Sequence, residues 1–138
     1  EGGVLIMINP TPWDFNPVHH PSSLDFFEQV LAETKDPVVM SQKYEQQFAD
    51  DEWYRHLYRT SYAYHGVHPF YMWYWGSHGM KHVGKVIIVG GDAATVRKLG
   101  FTPASTMNDA LEIASDTVGR SPTITHIKTP PLMIADVK

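Results

Sequence analysis

The hydrophobic positions fall into three patterns along the chain. Val4 to Ile8 is an unbroken apolar run, short enough for a buried strand. Pro10, Pro12, Pro17 and Pro21 follow it and forbid both helix and central strand, so residues 9–22 read as a loop. From Ser22 or Ser23 to about Lys35, Leu24, Phe27 and Leu31 recur at helical spacing behind a capping serine. Asp36-Pro37 restarts the chain as a cap and first helical residue, with Met40, Tyr44 and Phe48 at i+4 steps. Asp50 or Asp51 caps a third helix to about Tyr64, with Trp53, Leu57 and Tyr58 in a stripe and Tyr54 and Tyr62 beside it. Gly66 ends it, and His68-Pro69 opens a short fourth helix closing near Gly76.

The remaining third alternates between the two periods. Lys85 to Val89 is a β-branched run suited to a strand buried on both faces. Asp92 caps the next helix, and Leu99-Gly100 ends it with a left-handed glycine. Phe101 to Pro103 is a short extended piece. Ser105 is placed to cap a helix in which Met107, Ala110, Leu111, Ala114 and Val118 form the inward stripe, closed by Gly119. Thr123 to Lys128 alternates as a strand, Pro130 and Pro131 stop it, and Leu132 to Ala135 reads as a last short edge strand. Strands separated by helices imply right-handed crossovers, hence a three-layer α/β domain with a mainly parallel sheet flanked by helices and an aromatic-rich helical insertion. Residues 4–8, 85–89 and 123–128 are its expected parallel neighbours.

Composition narrows the function. The 138 residues suit a single domain, residues 1–138, and 43% apolar against 19% charged residues predicts a folded chain. A net charge of −4 argues against nucleic acid as partner, because a counterion-displacing surface must be basic. No apolar run reaches the roughly 18 residues of a membrane span. The absence of cysteine removes disulfides, thiolate metal sites and thiol nucleophiles, and fits a cytoplasmic location. Glu1-Gly2-Gly3 leads straight into strand-like sequence with no signal-peptide pattern. The chain therefore reads as an excised piece of something longer.

The candidate chemistry is concentrated in histidine and aromatic residues. Gly90-Gly91-Asp92 lacks the third glycine of a dinucleotide fingerprint, and its Asp would repel a pyrophosphate, so it reads as a tight turn with an Asp cap. No phosphate loop or nucleophile elbow is present. Seven of eight histidines lie in residues 19–82, with His19-His20 adjacent, His65 and His68 three apart, and His78 and His82 four apart. An i, i+4 pair on a helix can share a metal. Gly76, Gly79 and Gly84 make residues 76–84 a poor helix, however, and the intervening Glu of H-E-x-x-H is missing. Ten of seventeen aromatics lie between Trp53 and Trp75, and 64–76, YHGVHPFYMWYWG, is too evenly aromatic for one amphipathic face. Such a run supplies either core or a ligand and partner surface.

The stretches GGVLIMINP (2–10), AYHGVHPFYMWYWG (63–76), KVIIVGGD (85–92) and LGFTPASTMNDALEIA (99–114) together resemble the C-terminal domain of the nickel-dependent lactate racemase superfamily. The resemblance covers nearly the whole chain. It implies an isomerase, a 2-hydroxy-acid racemase or epimerase, whose N-terminal domain carries the nickel–pincer nucleotide and the acid/base histidines. It implies no cofactor, metal ligand or catalytic residue in the present chain, which alone would be inactive. The partners it implies are the protein's own N-terminal domain and a small-molecule substrate. The HPFYMWYWG run departs from the lactate enzymes, so lactate in particular is not implied. The residues expected to face the cleft are His19, His20, His65, His68, Tyr71, Trp73 and Tyr74. The competing readings are a self-contained module binding a small molecule or a protein through residues 64–76, and a histidine metalloprotein.

Overall fold

The computed structural model describes residues 2–128. Strand β1 (Gly3–Ile8) leads through the proline loop to helix α1, residues 23–33, whose middle is wound as a π-helix at Phe26–Val30. Helix α2 covers residues 37–50, α3 is Glu52–Thr60 and α4 is His68–Met80. Strand β2 (Val83–Val89), α5 (Ala93–Lys98), β3 (Thr102–Ala104) and α6 (Met107–Val118) complete the order. The sheet is β1-β2-β3, parallel throughout, with Val4 to Ile8 opposite Lys85 to Val89 and Ile87 to Val89 opposite Thr102 to Ala104.

Helices cover both faces of the sheet. Ala110 and Ala114 of α6 pack on Ile87, Val89 and Ala104, with Val4, Ile6, Ile113 and Val118 around them. The side chain of Ile88 points to the other face, where Val96 of α5 meets it beside Gly91. A second core joins α1, α2, α3 and α4 through Phe26, Phe27, Val30, Leu31, Met40, Phe48, Tyr54, Val67 and Phe70. The fold is therefore the expected parallel α/β domain with an aromatic helical insertion.

Local chemistry sets most boundaries. Asp36 Oδ1 accepts the Val38 N–H at 2.8 Å, and Asp51 Oδ1 accepts those of Trp53 and Tyr54 at 3.0 Å. Asp92 caps α5, and Gly100 (φ 83°) and Gly119 (φ 78°) take the left-handed conformations that end α5 and α6.

Six expectations are corrected. The cap of α6 is Thr106, not Ser105, because Thr106 and Asp109 form a reciprocal capping box at 3.1 and 2.9 Å. The buried stripe of α6 runs through Ala110 and Ala114; Leu111 is 43% exposed, because the small alanines let the helix lie close to the sheet on that side. In α3 the buried ring is Tyr54, whose hydroxyl donates to Asp25, whereas Trp53 and Tyr58 are exposed and Tyr62, beyond the helix end, is 90% exposed. Ser22 occupies the cap position of α1 without a side-chain cap bond, and the π turn buries Phe26 and Val30 beside Phe27 and Leu31, leaving Leu24 outside. Helix α4 continues through Gly76 and Gly79 to Met80, held by the burial of Phe70 and Ser77, which outweighs the roughly 1 kcal/mol penalty of each glycine. Residues 123–128 form no strand and are exposed: strand propensity without a ladder partner leaves backbone groups to water. The expected edge strand at Leu132 to Ala135 lies outside the described residues. No helix among the described residues is long and apolar enough to cross a membrane.

Candidate functional site

The loop after β1 is fastened at both ends. Near the strand, the Asn9 N–H donates to Val89 O at 3.2 Å and the Asp92 N–H to Pro10 O at 3.1 Å. Thr11 is the one non-glycine residue at positive φ (37°) among the described residues, held by its N–H and hydroxyl donating to Asn9 Oδ1 at 2.9 and 3.0 Å. Trp13, Phe15 and Phe27 then meet edge to face with centroids 5.3–5.5 Å apart, and the Lys98 ammonium lies 4.8 Å from the Trp13 ring.

The far end of this loop meets the aromatic segment. The Tyr64 N–H donates to His19 O at 2.8 Å, and His19 Nδ1 lies 3.1 Å from Tyr62 O. A carbonyl only accepts, so in neutral His19 the proton sits on Nδ1 and Nε2 carries the lone pair. His20 stacks on Tyr64 (4.7 Å between centroids, 14° between planes) and lies 5.4 Å from His68, which is itself 4.2 Å from Tyr64. His65 Nδ1 accepts the Val67 N–H at 3.4 Å, and the His65 ring meets Tyr58 edge-on at 5.2 Å. Burial, and secondarily the neighbouring His20, hold the pKa of His68 below the ordinary 6.5, so its imidazole is neutral at pH 7. His20 and His68 thus meet at Tyr64 from segments more than forty residues apart, with His19 bonded to the backbone of Tyr62 and Tyr64, while the His65 ring turns to Tyr58.

The other three candidates sit further along α4. The hydroxyls of Tyr71 and Tyr74 both donate to Glu45 of α2, at 3.5 and 2.7 Å, and burial followed by the Glu45 bond raises the pKa of Tyr74. Trp73 turns toward α1: its Nε1–H donates to Lys35 O at 3.0 Å and its ring lies 6.5 Å from Phe26. Tyr71 is exposed, whereas Trp73 and Tyr74 are half-buried. Tyr64 is the residue that sequence reasoning passed over as a site; its position four before His68 was the available signal.

Among the described residues, no group of three or more His, Asp or Glu side chains is arranged to hold a metal ion. His78 and His82 do not share a helical face, because α4 ends at Met80. The described residues therefore do not by themselves fit a nickel centre. At the Gly90-Gly91 turn, Asp92 Oδ1 accepts the N–H and hydroxyl of Thr95 at 2.8 and 2.6 Å, which is the capped tight turn expected. The chain matches no protein-family model, no curated protein and no solved structure.

Proposed function

We propose that this chain is the C-terminal, cleft-closing domain of a lactate-racemase-like isomerase, acting in the cytoplasm. In this reading it packs against the protein's own N-terminal domain over a nickel–pincer nucleotide and a small 2-hydroxy acid. The cofactor and the acid/base histidines would belong to the other domain. The present residues bind, orient and exclude water, and the chain alone turns nothing over.

One observation carries the reading: His20 and His68, from two distant segments, converge with Tyr64 on one partly exposed surface. The half-buried imidazole of His68 beside an aromatic ring offers a hydrogen-bonding group on an otherwise apolar wall, as small-molecule clefts require. The test is 2-hydroxy-acid racemisation by the full-length protein. His20→Ala and Tyr64→Ala should each lower turnover at least tenfold, while Trp53→Ala, on an exposed face of α3, should not. A full-length protein that racemises no 2-hydroxy acid, or variants indistinguishable from the parent, would overturn the proposal.

A second reading has its own support. Tyr71, Met72 and Trp75 lie within two turns of α4 and are exposed, Trp75 by 71%. A self-contained module would dock a partner or ligand there.

A further inference from the structure

The two turns at the carboxyl ends of β2 and β3 enclose an open crevice of about 310 Å³, lined by Gly90, Gly91, Ala93, Arg97, Pro103, Ala104 and Ser105. It is separate from the histidine cluster in residue content. Ligands of open parallel sheets sit beyond strand carboxyl ends, where successive turns part. The crevice is held open by backbone: Gly90 takes φ 77° and its N–H donates to Ala104 O at 3.0 Å, tying the two turns together. A side chain at Gly91 would stand 2.8 Å from Val96 Cγ2 and 2.9 Å from Ile88 Cγ2, so this wall is restricted to glycine.

Arg97 is the one charged residue lining the crevice. Its side chain is exposed, and one guanidinium nitrogen makes a long 3.4 Å contact with Ala93 O, one turn back along its own helix. That leaves a planar fork of donors ready for an oxyanion. Ser105 adds a hydroxyl, and Pro103, Ala93 and Ala104 add apolar wall. We propose that this crevice binds a small monocarboxylate, its carboxylate on Arg97 and its short carbon chain against Pro103 and Ala104.

Charge selects a carboxylate over a phosphate. Arg97 supplies one positive charge, matched to a monoanion. The volume, at the low end for ligand sites, fits a molecule of a few carbon atoms.

The experiment is a calorimetric or NMR titration of the chain with lactate, propionate and inorganic phosphate as separate probes. The carboxylates should bind saturably and at least tenfold more tightly than phosphate at pH 7.5. Arg97→Gln should weaken carboxylate binding at least tenfold, and Ala93→Leu, which narrows the crevice, should weaken it too, with unfolding temperatures recorded as a check on folding. Phosphate binding tighter than carboxylate, or carboxylate affinity unchanged by Arg97→Gln in a folded variant, would overturn the proposal. The titration needs neither a second domain nor turnover, so its result is independent of the racemase reading.

Discussion

His20 and Tyr64 stack face to face with ring centroids 4.7 Å apart, although 44 positions separate them. The stack and the Tyr64 N–H bond to His19 O close the loop after β1 against the segment leading into α4. Tyr64→Ala should therefore destabilise the chain by about 0.5–1.5 kcal/mol, the range for an aromatic pair. Urea denaturation measures this; no change would show that the loop is held without the stack.

His68 gives the cluster a pH dependence of defined sign. Its pKa is lower in the folded chain than the ordinary 6.5, chiefly through burial, with the His20 imidazole and the Tyr64 ring facing it. The unfolded chain then binds more protons in the window just below 6.5, so stability falls as pH drops through it. The unfolding temperature should decline between pH 7.5 and 5.5, and less in His68→Gln. Equal declines would remove His68 as the source.

Gly66 controls the approach of α4 to the helical core. A Cβ there would lie 2.4 Å from Phe48 O and 3.0 Å from the Tyr54 ring, and the backbone atom cannot swing aside. Gly66→Ala should cost about 1–3 kcal/mol, as overpacking does. A thermal shift indistinguishable from zero would contradict this packing.

On α6 the two faces make opposite predictions. Leu111→Ala removes a side chain that is largely in water and should change stability by less than about 0.5 kcal/mol. Ala110→Leu forces the extra volume of an isopropyl group into a fully buried site against the sheet and should cost about 1–3 kcal/mol. Denaturation midpoints for the two variants check both.

What the sequence made legible was local. An Asp before a helical run, a glycine after one and a β-branched pentad each act through their own backbone, so β1, β2, the Asp36, Asp51 and Asp92 caps and the Gly100 and Gly119 stops could be read directly. Tertiary packing decided the rest. Which ring of Trp53, Tyr54 and Tyr58 turns inward depends on Asp25, 29 residues before Tyr54. The persistence of α4 past Gly76 depends on what Phe70 and Ser77 bury against. The histidine pairs that were close in sequence mattered less than His20 with His68, whose 5.4 Å approach spans 48 positions. The Arg97 crevice left no spacing signal, because its lining comes from two separate turns.

Hydrogen–deuterium exchange, comparing this chain alone with the chain in the two-domain protein the proposal calls for, tests the central claim most directly. If the histidine cluster closes on the N-terminal domain, amides of residues 18–20 and 62–68 exchange more slowly in the full-length protein, while those of α4 around Tyr71, Met72 and Trp75 are unchanged. Slowing confined to residues 71–75, or no slowing anywhere on this chain, would contradict the account.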